Sequence, residues 1–208
     1  LSKRFVVNAV GVADRGARRR TIAITPNFTV HVVPHSQEYS ALKSAEETAT
    51  GGRLHDLLLL DRYRLIPELT ELCESLSCAS DVMIASHPYA FPMLKELHGR
   101  ARLVYESHNI EYVLKKTYFP RDDAASRAWI DTVRLAEEAA CRGSDLVTAV
   151  CGEDADALSA EFGVGRGRIV IVPNGVDTRR ALFTDPSARA ALKARLGIRA
   201  PLVVFVGS

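Results

Sequence analysis

A chain of 208 residues, 47% hydrophobic and 25% charged, has an ordinary globular make-up, with length for one large domain or one domain plus part of another. A formal net charge of +2 is too small to argue for nucleic acid, and no apolar run approaches the roughly 18 residues of a membrane span. The cysteines Cys73, Cys78, Cys141 and Cys151 show no C-x-x-C spacing and read as free buried thiols in a reducing cytoplasm, with no signal peptide visible.

"RFVVNAV" and "RRTIAIT" are β-rich runs around the turn-forming "GVADRGAR" and predict a hairpin, with "FTVHVVP" as a third strand. Residues 36–50 are expected to be helical, with Ser36 as N-cap and Gly51-Gly52 as the break. Residues 54–77 predict one or two helices, the second started or kinked by Pro67. "DVMIAS" is a strand, "HPYAFP" a loop, "MLKELHG" a short helix and "ARLVYES" the next strand. "NIEYVLKKTYF" is helical up to Pro120, and Asp122 or Asp123 caps a helix running to about Cys141. "SDLVTAV", "RIVIVP" and "PLVVFVG" are strands, separated by the helices "EDADALSAEFG" and "DPSARAALKARLG", which stop at Gly163 and Gly197. From residue 81 the alternation of strand and helix predicts an α/β, Rossmann-like parallel sheet with helices on both faces. Both chain ends read as cut, since Leu1 is not a Met and the last strand has nothing written after it.

In an open parallel sheet, ligands bind beyond the carboxyl ends of the strands. Three strands deliver polar residues there: Ser86 and His87; His108 and Asn109; Cys151, Gly152 and Glu153. His108 has the strongest claim, because an imidazole can hydrogen-bond a hydroxyl or a developing charge. The plain alternative is a residue that caps or packs at a strand–helix corner. Asn109 reads most simply as an N-cap, Glu106 as a local salt-bridge partner, and Glu111 as a complement to the helix dipole or a ligand-binding group. "GVGRGR" at 163–168 follows a helix and precedes a strand, the wrong context for a dinucleotide fingerprint, so it reads as a helix stop and a connection. Histidines and cysteines do not cluster at metal-ligand spacing, and no metal is expected. Arg18 to Arg20, and Lys115, Lys116 and Arg121, read as solvated faces, or as sites of attraction to acceptor phosphates or an anionic membrane surface.

The succession "VYESHNIE", "SDLVTAVCGEDADAL", "RIVIVPNGVD", "RLGI" and "PLVVFVGS" resembles glycosyltransferases of the GT-B fold, and most of all the retaining family 4 (glycosyl transferases group 1). "VPNGVD", residues 172–177, is the most specific mark, and the resemblance is good over about 80–208. It implies an acceptor-side Rossmann-like domain over 1–178, followed by the opening of a donor-binding domain over 179–208. It implies transfer of a sugar from a nucleotide-diphosphate donor to an acceptor glycan, glycolipid or small molecule, with retention and without a cofactor or bound metal. His108 falls where the family places a histidine beside the transferred sugar. His87, Asn109, Glu111 and Glu153 become substrate-binding candidates without assigned roles. The family's first strand and glycine-rich loop have no counterpart here, nor do its nucleotide-binding motifs. The 208-residue piece is therefore expected to be inactive alone. A cytoplasmic place is expected, with peripheral contact at the inner membrane face, no nucleic acid partner, and pairing of two copies through the last strand. The competing readings are a non-catalytic Rossmann-like binding module and a GT-B epimerase or phosphorylase.

Overall fold

The computed structural model describes residues 4–54, 57–119, 121–175 and 185–200. The final strand expected over 201–207 and the Val176–Asp177 end of the marker turn lie outside the described residues. The chain divides into two compact units, Leu1–Pro173 and Asn174–Ser208.

The first unit opens with a small mixed sheet of β1 (Val7–Ala13), β2 (Arg20–Thr25) and β3 (Phe28–Pro34), in the order β1-β3-β2. The expected pairing of the first two strands is corrected. β1 runs parallel to β3, from Val7↔Phe28 to Ala13↔Pro34, and the hairpin is β2–β3, closed at Pro26-Asn27. The start of "GVADRGAR" is the end of β1, and residues 14–19 carry the chain across β3, while the tight Pro-Asn connection suits antiparallel neighbours.

Helix α1 (Gln37–Thr50) begins at Ser36, whose hydroxyl accepts from the Tyr39 N–H, and stops at Gly51 in the left-handed region with φ 68°. After α2 (Leu59–Arg62) and a short 3-10 turn comes α3 (Pro67–Ser77), with its proline in the first turn, where no N–H is missed.

The second sheet is wholly parallel, in the order β4 (Val82–Ser86), β5 (Arg102–Glu106), β6 (Leu146–Ala149), β7 (Ile169–Ile171). Its crossovers are α4 (Phe91–Leu97), the pair α5 (Glu111–Lys115) and α6 (Ala124–Gly143), and α7 (Gly152–Phe162). This is the α/β, Rossmann-like half expected from the alternation of elements. One face holds the core: Ala85, Tyr105, Val147 and Ile169 stand in one row across the four strands, all buried. The other face carries Val82 and Ile84, which are 50% and 47% exposed. The near-continuous apolar strands are thus covered more fully on one side than on the other.

Asp123 caps α6 through the Ser126 N–H, and Gly163 ends α7 at φ 68°, so "GVGRGR" is a helix stop and a connection. Arg168 reaches back from that connection to the carbonyls of Cys141, Arg142 and Ser144 at the end of α6. All four cysteines are free thiols, but only Cys73 and Cys141 are buried; Cys78 is exposed and Cys151 half-buried. In the second unit, α8 (Pro186–Arg195) is capped by Asp185, which accepts from the Ser187 and Ala188 N–H groups. Among the described residues, no helix is long and apolar enough to cross a membrane.

Candidate active site

Parallel pairing sets Ser86 opposite Glu106, and Glu106 opposite Thr148, at the carboxyl ends of β4, β5 and β6. The ladder continues one residue further, because the His87 N–H donates to the Glu106 carbonyl and the Ser107 N–H to that of Thr148. This registration carries His87 and His108 to the same sheet rim. Their rings lie 4.8 Å apart, centroid to centroid, with planes at 37°.

Each imidazole is tied to a carboxylate. The Ser86 hydroxyl donates to Glu106 Oε2 at 2.7 Å and lies 3.1 Å from His108 Nε2, which is itself 3.4 Å from Glu106 Oε2. His87 Nδ1 stands 2.8 Å from Glu111 Oε1, and the Tyr89 hydroxyl donates to Glu111 Oε2. The side chains of His87 and His108 are 39% and 34% exposed, whereas that of Glu111 is 2% exposed. The rings therefore meet solvent while the carboxylate behind His87 is sealed. Burial pushes the Glu111 carboxyl up. The hydrogen bonds from His87 and Tyr89, with the charges of His87 and Lys115, outweigh that and hold it below the usual range.

Behind this layer lies Glu137 of α6. Its carboxylate accepts from the Glu111 N–H at 2.8 Å, the Tyr112 N–H at 3.1 Å and the Tyr105 hydroxyl at 3.2 Å. It supplies the cap that α5 lacks locally. The expected Asn109 cap is corrected, for the residue preceding α5 is Ile110, without a side-chain cap, and Asn109 is exposed, with its carbonyl accepting from Ser107 Oγ. Burial pushes the Glu137 carboxyl up to about 7, against the opposing pull of those donors. Lys115 is also corrected. It is buried, not part of a solvated face, and its ammonium lies 5.3 Å from the Tyr89 ring centre and 4.6 Å from that of Tyr118.

The structure thus brings together His87, His108 and Glu111 among the expected site residues. Asn109 sits on the same loop with its side chain outside the cluster, and Glu153 is exposed in the first turn of α7, beyond β6. Sequence reading missed Tyr89, Tyr105 and Glu137. Glu137 left a signal: it lies at helical spacing between Val133 and Ala140, on the buried face of α6, where a carboxylate needs partners. Among the described residues, no three His, Cys, Asp or Glu side chains gather to hold a metal.

The parallel sheet with its helical crossovers is a Rossmann-like half, and its imidazoles and carboxylates stand at the strand tips, where open parallel sheets bind their ligands. A family model described as Glycosyltransferase Family 4 matches residues 23–180, most of the chain, and the chain belongs to that family. It is also similar to the D-inositol 3-phosphate glycosyltransferase of Xylanimonas cellulosilytica, at 32% identity over 112 residues, covering 50% of this chain and 25% of the relative. The chain spans about a quarter of that relative's length.

Proposed function

We propose that this chain is the acceptor-side half of an enzyme that moves a sugar from a nucleotide-diphosphate donor to an acceptor hydroxyl with retention of configuration. The supporting observation is His108, half-exposed at the tip of β5 and oriented by Ser86 and Glu106. An imidazole held this way hydrogen-bonds the transferred sugar and steadies charge as the glycosidic bond breaks. His87, with Glu111 behind it, takes a second position on the same substrate, and Asn109 and Glu153 lie at the margins. The acceptor belongs to the hydroxyl-bearing class: a glycan, a glycolipid or a small polyol. The protein works in the cytoplasm, with peripheral contact at an anionic membrane face through its arginines. The 208-residue piece does not turn over donor by itself, because the nucleotide-binding groups belong to the donor-side domain.

The test is incubation of the intact protein with a panel of nucleotide-diphosphate sugars and acceptor mixtures, following released nucleoside diphosphate and the anomeric configuration of the product. Release coupled to an unchanged anomeric configuration is expected. No release with any donor, or an inverted product, would overturn the reading.

A further inference from the structure

We propose that Glu137 of α6 is a positioning residue that sets the rate of transfer, because its carboxylate holds both ends of the loop that carries His108. It meets no substrate and acts through that loop and through Glu111. The inference rests on the reading above that His108 serves sugar transfer, and it adds the group that keeps the sheet rim in place.

Residues 107–110 join β5 to α5 and include His108. At the strand end, the Tyr105 hydroxyl donates to Glu137 Oε1 at 3.2 Å. At the helix end, the Glu111 N–H donates to the same oxygen at 2.8 Å, and the Tyr112 N–H donates to Oε2 at 3.1 Å. One carboxylate thus bridges the last turn of strand and the first N–H groups of helix, with the loop between them. Ile110 gives no side-chain cap and α5 has five residues, so nothing local fixes where the helix starts. A shift of that first turn carries Glu111 with it, and Glu111 is the carboxylate that His87 and the Tyr89 hydroxyl meet.

Stability alone does not account for a carboxylate here. Glu137 is fully buried, on the face of α6 that also presents Val133 and Ala140 to the core. Burial raises its carboxyl to about 7, so holding it ionised at neutral pH costs stability. An apolar side chain of similar volume carries no such cost. What the carboxylate supplies is acceptor capacity at both oxygens, and the donors that use it all flank the His108 loop. A glutamine has one acceptor oxygen and an NH2 group. Whichever way it turns, one N–H of α5 faces another N–H.

The test is a double-mutant cycle in the intact protein, with Glu137→Gln and His108→Ala made singly and together. Glu137→Gln should lower kcat about tenfold while KM for the donor stays near its native value, since the loop that meets the reacting sugar is misplaced and the rest of the cleft is untouched. In the His108→Ala background the same change should cost nothing further, because both act through one side chain. Amide hydrogen exchange, read by NMR, should quicken at Glu111 and Tyr112 and stay native in α7, and the His108 ring resonances should move. Tyr105→Phe removes only the strand end of the bridge. It should lower kcat less, again with no effect once His108 is gone, and it decides the matter if Glu137→Gln does not fold. Native kcat in a folded Glu137→Gln, losses that multiply in the double variant, or unchanged exchange at Glu111 and Tyr112 would each overturn the inference. A native protein that transfers no sugar would instead sink the proposed function. The exchange rates and the His108 resonances would then still show whether Glu137 holds the loop.

Discussion

His87 adopts φ 71° and ψ 159°, a backbone region that glycine nearly monopolises, and it is the one non-glycine residue with positive φ among those described. Strain of about 1–3 kcal/mol persists at such a position only where the surroundings over-determine it. Here they do: the next residue is Pro88, the His87 N–H is bound to the β5 carbonyl, and the ring is held by Glu111. A glycine would be the easier residue, so the imidazole is retained against the backbone's preference. Comparing His87→Gly with His87→Ala separates the two effects, because both lose the ring. The glycine variant should be more stable by about 1 kcal/mol in chemical denaturation, since it alone tolerates the dihedrals. Both should lose transfer activity. Equal stabilities would show that the backbone relaxes. The histidine itself was legible at the end of a strand. Its strain was not, because a positive φ at a non-glycine residue leaves no mark in the one-dimensional pattern.

Helix α5 has only Glu111–Lys115 in α-helical form, too short to hold itself, and its first N–H groups are met by Glu137 from 26 residues away. Local rules found the caps that are local: Ser36, Gly51 and Gly163 stand where the sequence placed them, and Asp123 is one of the two adjacent candidates it offered for α6. They failed at Asn109 because the true cap is a tertiary contact, and they mispaired β1 with β2 because strand partners are chosen across the fold. The Glu137 carboxyl is raised to about 7 in the folded protein, so the native state binds its proton more tightly than the unfolded chain does. The stability it contributes is full below the unfolded carboxylate range and is lost as pH rises toward 7. The decline is on the order of 3 kcal/mol between pH 4.5 and 7. Glu111, held below its usual range, acts oppositely, contributing stability that is lost in stronger acid. Denaturation midpoints at pH 5 and 7.5 should therefore fall in the native protein, and Glu137→Gln should flatten that slope. Parallel slopes in the two proteins would contradict the assignment. At a neighbouring element boundary, a Cβ added to Gly52 would come 2.6 Å from Phe119 Cδ1 and 3.1 Å from the Tyr118 carbonyl. Gly52→Ala should cost about 1–3 kcal/mol, measured by thermal melting against an exposed-site alanine control.

At the scale of the molecule, the strand–helix alternation beyond residue 81 was readable because each strand is a short, largely apolar run and each crossover carries a helical pattern. That order placed Ser86, Glu106 and Thr148 in one row, and the row carries both histidines to a common rim. What the alternation could not convey is how the second layer of side chains, Tyr89, Tyr105 and Glu137, locks that rim, since each comes from a different element. The account as a whole stands on His108 meeting the sugar during transfer. The direct measurement is the steady-state transfer rate of the intact protein carrying His108→Ala, with its fold checked by circular dichroism and thermal melting. A fall of about 10²-fold or more in kcat, with the melting temperature nearly unchanged, is predicted. A variant that transfers sugar as fast as the native enzyme would contradict the account.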